Sequence, residues 1–323
     1  MITRRAFVIA TAASAAALLG GCGASGGATS SASSGASSGG SDAGESVSIG
    51  TLATEDLLPY WVAIDQGLFA KAGINVSITT FQSATELIAG VASGEVDLAM
   101  TDIMVAASMV ASGIDIKLKW VTLGATADQG RFGIMVGPNS SVQKLTDLAG
   151  VPIGVGSNTI LEYVMDNLME SAGVPADKIV VEEIQKLPMR YQAMVSGEVA
   201  AAALPGSLLA LGEANGCRTI ADDTTGENLS SSVMVAQSKV PDSTIAKLEQ
   251  VWDEAVALVN ANPEAYRATL VANANLSDAV ANTYPISTYP SAERPTEAMV
   301  APVLSWMQSK GYLTKPLTYT DLV

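Results

Sequence analysis

The sequence predicts an α/β protein built from two similar halves, each a mainly parallel sheet flanked by helices. From Val47 onward, short apolar runs alternate with amphipathic stretches, the pattern of βα units around parallel strands. The order strand, turn, helix, strand, helix, strand occurs twice. The phrase "SGEVDLAM" at 93–100 returns as "SGEVAAAAL" at 196–204, at the same place in each half. With 323 residues the chain has room for two ordinary domains with substantial cores.

In the first half, "VSIGTLA" (47–53) reads as a strand, followed by the polar turn "TED". Pro59 and Gly73 then bracket a helix over about 58–72, with Leu58, Val62 and Leu68 or Phe69 on one face. "INVSITTF" (74–81), "ATELIAGVASG" and "VDLAMT" (96–101) give a strand, a helix and a strand. The second half repeats this with "VPIGVGSNTILEYVMDNLMESAGV", "KIVVEEI", "MRYQAMVSG" and "EVAAAAL". In the doubled phrase, Gly94 and Gly197 are helix stops that suit the left-handed conformation, and a buried strand follows each at once. Asp97, replaced by Ala200 in the second copy, reads as a capping or solvated residue at a strand entrance. The tail is helical: Ile245, Leu248, Val251 or Trp252, Val256 and Val259 recur at helical spacing. With no strand repeat, it is expected to pack on the first half.

The first residues, "MITRRAFVIATAASAAALLGGCGASG", have the basic start, apolar stretch and small residues of a secretory signal, assigned here to 1–21. Arg4 and Arg5 resemble a twin-arginine export signal and read equally well as an ordinary basic start. "LGGC" resembles a bacterial lipobox, which implies lipidation of Cys22. The Gly, Ser and Ala segment that follows, to residue 46, cannot bury enough apolar surface to fold and reads as a flexible tether. Two or more acyl chains on Cys22 would hold the protein stably at a membrane surface.

The formal net charge is −15, and loss of a signal carrying Arg4 and Arg5 makes it more negative. Such a body is poorly suited to phosphate backbones, so nucleic acid is excluded as a partner. The sequence contains no histidine, which removes the commonest general base and metal ligand. No metal, cofactor or catalytic residue is expected. Cys22 and Cys217 are the two cysteines, so lipidation of the first precludes an internal disulfide, and Cys217 reads as a small packing residue.

"LPYWVAIDQGLFAKAGINVSIT", "LIAGVASGEVDLAM", "KLTDLAGVPIGV" and the ending "WMQSKGYLTKPLTYTDLV" closely resemble the substrate-binding proteins of ABC importers for nitrate, sulfonates, taurine and pyrimidine precursors. The resemblance runs from Val47 to Val323. It implies a two-lobed type II periplasmic-binding-protein fold with a ligand cleft between lobes that closes on a small molecule. The implied partners are that small molecule and an ABC permease with its ATPase, the protein acting as an exported, membrane-anchored monomer. The halves map to lobe 1 at 47–130 and 238–323 and lobe 2 at 138–230, with hinge crossings near 131–137 and 231–237.

Ligands of open α/β sheets bind at the carboxyl ends of strands, where helices begin. On this sequence the rule selects Thr54 and Glu55 with Tyr60 and Trp61, then Gln82 and Ser83, then Thr101 and Asp102. In the second lobe it selects Ser157, Asn158 and Thr159, with Arg190 and Pro205, and Arg131 lies in the first crossing. Ser157, Asn158, Thr101 and Asp102 read equally as ordinary helix caps, and Pro205 as a first-turn proline. Tyr60 and Trp61 differ by about 100° in direction, so one of the two is expected to face the cleft. Basic residues are few beside Glu55, Asp102, Asp128 and Glu162. This favours a neutral or cationic heterocycle, such as a pyrimidine or thiamine precursor. The alternatives are a sulfonate, taurine or nitrate held by helix starts, or an enzyme on this fold resembling pyrimidine-precursor synthases or chorismate-derived dehydratases.

Overall fold

The structure, a computed structural model, describes residues 45–323; the signal, Cys22 and nearly all of the tether lie outside the described residues. In the first half, β1 (Glu45–Leu52) leads through a 3-10 turn (Glu55–Leu57) into α1 (Leu58–Asp65) and α2 (Leu68–Lys71). Then come β2 (Ile74–Phe81), α3 (Ala84–Ser93), β3 (Leu98–Asp102), α4 (Ile103–Ala111) and β4 (Ile116–Leu123). The second half opens with β5 (Phe132–Val136) and continues with β6 (Pro152–Val155), α5 (Ile160–Ser171), β7 (Val180–Glu183) and α6 (Leu187–Ser196). It closes with β8 (Ala201–Pro205), α7 (Gly206–Ala214) and β9 (Arg218–Asp222). After β10 (Ser232–Gln237) the tail forms α8 (Asp242–Ala261), α9 (Arg267–Asn273), α10 (Glu297–Ser309) and α11 (Tyr319–Leu322).

The strands form two five-stranded sheets, ordered β2-β1-β3-β10-β4 and β7-β6-β8-β5-β9. Each is parallel except for one strand: β10 runs against β3 and β4, and β5 runs against β8 and β9. The fold is therefore the expected two-lobed α/β arrangement, and the two halves share one topology. Helices cover the sheets, so β3 and β8 are buried along their whole length, in keeping with their apolar runs Leu98–Met100 and Ala201–Leu204.

The chain does not cross between sheets at 131–137 and 231–237. Those segments are β5 and β10, each hydrogen-bonded on both sides within one sheet. Their apolar side chains are buried where a linker would be polar and exposed. The links are the polar segments 124–131 and 223–231. They touch where the side chains of Asn228 and Ser231 donate to the Gly124 carbonyl. Gly124 has φ 80°, and a Cβ there would collide with the Ser230 carbonyl oxygen. Gly124→Ala is expected to lower stability by more than about 2 kcal/mol, read as a lower denaturant midpoint, because strain and clash add.

Locally the doubled phrase behaves as read: Gly94 and Gly197 end α3 and α6 at φ 81° and 80°. Asp97 accepts from both the N–H and the hydroxyl of Ser48 and pairs with Lys239 at 2.9 Å, a tie at the strand entrance. The helix expected over 58–72 is broken by Gly67 at φ 67°, giving α1 and α2. The tail packs α8 and α9 on α1, and α10 and α11 on α4, all in the first lobe. Cys217 is a buried free thiol in the core of the second.

Candidate ligand-binding cleft

The carboxyl ends of β1, β3 and β8 and the start of α5 converge on a cavity of about 60 Å³ between the two sheets. The first lobe contributes Thr54, Asp56, Ser83, Thr101 and Asp102. The second contributes Thr159, Gln185, Arg190 and Pro205. Leu52, Met100, Phe132, Leu161 and Leu187 give the remaining wall its apolar character.

Helix caps fix the polar residues in place. Ser83 caps α3 by accepting from Glu86 N, and Glu86 reaches back to accept from Gln82 N at 3.0 Å. Asp102 caps α4, its Oδ1 accepting from Val105 N at 2.7 Å. Its Oδ2 accepts from Ile160 N, at the start of α5 in the opposite lobe, at 3.0 Å. Burial lifts the Asp102 carboxyl to about 6, against the pull of these backbone N–H groups. Thr159 donates to the Gly156 carbonyl at 2.7 Å, closing the turn before α5.

Arg190 is 2% exposed and donates to the carbonyls of Ile184, Ala203 and Gln185 at 2.9, 3.1 and 3.2 Å. Burial lowers the guanidinium to about 10, opposed by Glu183. None of these bonds is to a carboxylate, so the positive charge is held by backbone dipoles. A Cβ at Gly156 would come within 2.6 Å of Arg190 Nη2, so glycine gives the side chain its room.

The lobes meet around this cavity. Besides the Asp102–Ile160 bond, Asn158 Nδ2 donates to Ser108 Oγ at 2.6 Å and Lys186 pairs with Glu86 at 2.7 Å. Behind α5, Lys310 from the tail pairs with Glu162 and Asp166 at 3.0 and 2.9 Å.

Of the residues selected from sequence, Thr54, Ser83, Thr101, Asp102, Thr159, Arg190 and Pro205 come together in the cavity. Gln82 lies in an adjoining hollow that shares Leu187 and Pro205 with it. Glu55 and Arg131 line a separate hollow beside Tyr284, where Arg131 is paired with Glu213 and Asp222 at 2.9 and 2.8 Å. Ser157 and Asn158 stand behind the wall, bonded to Glu183 and to Glu162 and Ser108. Neither Tyr60 nor Trp61 faces the cleft. The 3-10 turn rotates α1 so that both enter the first-lobe core. Tyr60 donates to the Leu248 carbonyl at 2.9 Å and stacks edge-on against Phe69 and Trp252.

Sequence reasoning missed Asp56, Gln185, Phe132 and Ser232. Asp56 is the neighbour of a residue it selected, and the register of one 3-10 turn decides which acid faces the cavity. Gln185 follows β7, so the strand-end rule reaches it. Phe132 and Ser232 begin the two reversed strands, opposite Pro205 and Asp102, and only the sheet order brings them to this edge.

Among the described residues no group of three or more acidic, cysteine or histidine side chains is placed to hold a metal ion, and no helix is long and apolar enough to cross a membrane. A comparison with curated proteins gives no match. Among solved structures, the fold is similar to the alkanesulfonate-binding protein SsuA from Xanthomonas axonopodis pv. citri bound to MOPS. That likeness has TM-score 0.72 at 17% identity, over 86% of this chain and 98% of that one. The ligand-binding component of an ABC-type import system from Staphylococcus aureus, with zinc bound, matches at TM-score 0.73 and 15% identity, over 86% and 96%. The desulfurization enzyme DszB matches at TM-score 0.61 and 16% identity, over 84% and 94%. Residues 54–266, most of the described chain, match the family described as NMT1/THI5 like, and the protein belongs to that family.

Proposed function

We propose that the protein is an extracytoplasmic solute-binding lipoprotein that captures a small organic molecule between its lobes and delivers it to the permease of an ABC importer. The observation that carries this reading is the cavity itself, walled by both lobes and bridged by Asp102 and Ile160. A site built from two lobes couples occupancy to closure, and closure is what a permease can recognise. The similarity to import-system binding proteins supports it.

The ligand is a compact neutral or cationic heterocycle. Asp56 and Asp102 supply acceptors, the hydroxyls of Thr54 and Thr101 supply donors, and Phe132 with the aliphatic side chains supplies apolar contact. A sulfonate is the second reading, favoured by the absence of a carboxylate among the hydrogen-bond partners of Arg190. On this reading the solute is captured without being transformed, which the binding proteins among the similar structures support.

Lipidation at Cys22 and the tether after it would keep this body at the outer face of the cytoplasmic membrane, beside its permease. Radiolabelled palmitate is expected to enter the wild type, and Cys22→Ala to release the protein from the membrane fraction. Retention of the unlabelled variant in that fraction would remove the anchor. A thermal-shift panel of pyrimidines, other heterocycles and alkanesulfonates is expected to raise the melting temperature with heterocycles. A response confined to alkanesulfonates would replace the ligand assignment with the second reading.

A further inference from the structure

A helix start attracts anions, because its first N–H groups lack partners and the helix dipole is positive there. The start of α5 borders the cavity, and its place for an anion is already taken. Asp102, 7% exposed, sends Oδ2 to Ile160 N at 3.0 Å while Oδ1 holds Val105 N at 2.7 Å. One carboxylate thus caps its own helix and, across the cleft, a twelve-residue helix of the other lobe. The bond between Asn158 and Ser108 seats the same two helices against each other. Asp56, 3% exposed, lines the cavity too, and its Oδ1 has no hydrogen-bond partner among the described residues. An oxyanion entering here would meet two carboxylates. Arg190, the cation in the lining, already spends three N–H groups on backbone carbonyls.

We infer that Asp102 determines specificity: its carboxylate stands in advance where a ligand anion would sit at the start of α5, and so bars sulfonates and other oxyanions from the cavity. This rests on the solute-binding reading and narrows it. To bind there, a sulfonate must displace Asp102 from Ile160 N and then lie against it as a like charge, in a site shielded from water. Solutes that are neutral or carry N–H donors meet no such barrier and gain an acceptor.

Two substitutions separate charge from capping. Asp102→Asn keeps the α4 cap, since Asn caps about as well as Asp, and removes the charge. Asp102→Ser keeps a capping oxygen that is too short to cross the cleft. Methanesulfonate is titrated calorimetrically into the full chain of the wild type and of each variant, with folding checked by circular dichroism and melting temperature. Wild-type binding is expected to fall below the detection limit of the titration, and both variants to bind with a dissociation constant at least about tenfold below that limit, with Asp102→Ser ahead. Wild-type affinity equal to that of the variants, or folded variants that gain nothing, would overturn the inference. The heterocycle panel on the wild type reads the parent proposal separately. A wild type that binds no solute, beside variants that gain methanesulfonate, would sink solute capture and leave the role of Asp102 standing.

Discussion

Lys310→Met is expected to lower the unfolding free energy by about 3 kcal/mol or more, the usual cost of leaving buried charges without their partner. Glu162 and Asp166 lie one turn apart on α5 and are 1% and 4% exposed. Lys310 is the cation that meets both, at 3.0 and 2.9 Å. Tyr312 donates to Glu162 at 2.7 Å and Trp306 Nε1 to Asp166 at 2.9 Å, so the carboxylates are held by a network. The two carboxylates together push the Lys310 ammonium well above its ordinary value, against the effect of its own burial. Methionine keeps most of the aliphatic volume and removes the charge, so packing loss is a small part of the effect. Urea unfolding followed by circular dichroism measures it. The triple variant Lys310→Met, Glu162→Gln, Asp166→Asn is expected to recover most of the loss, because the unpaired charges go with the cation.

Lowering the pH from 8 to 5 is expected to stabilise the protein, and Glu55→Gln to remove about 2 kcal/mol of that gain. Burial lifts Glu55 to about 7, helped by the neighbouring charge of Asp56 and opposed by the hydrogen bond from Tyr284 at 2.5 Å. Its folded value therefore lies above the unfolded one, ordinarily 4.5. The folded state binds the extra proton between those values. Its stabilising effect is complete below the unfolded value and is lost as pH rises through the folded one. Asp102, lifted to about 6, acts in the same direction over a lower window. Chemical denaturation at pH 5 and pH 8 checks this. A variant whose stability changes with pH as steeply as the wild type would show that Glu55 ionises freely in the folded protein.

The α/β class, the two halves and the positions of most strands are legible in the sequence, because a parallel strand buried on both faces must be an apolar run. Helix stops at Gly94 and Gly197 are legible for a related reason: few residues other than glycine sit easily at φ near 80°. Thr101, Asp102, Thr159 and Pro205 could be placed because strand ends and helix caps are local features. Phe132 and Ser232 could not, since their position depends on which strand runs backwards. The reversed strands also read as crossings in the sequence, because an apolar run beside a turn-rich linker looks the same whichever sheet it joins. Tyr60 and Trp61 fell on the wrong side because one 3-10 turn changes the angular register of the helix after it. Lys310 had no local signal at all, being paired with Glu162 and Asp166 across 148 and 144 residues of chain.

On the solute-binding proposal, the ligand occupies the cavity between the lobes. Ala84 lines that cavity at the first position of α3, outside the fully buried core, so a larger side chain there fills the space at little cost to folding. The decisive measurement is calorimetric binding, by the wild type and by Ala84→Leu, of the solute that native mass spectrometry finds co-purified. Loss of binding in Ala84→Leu at an unchanged melting temperature is the predicted result; equal affinity in the two proteins would contradict it.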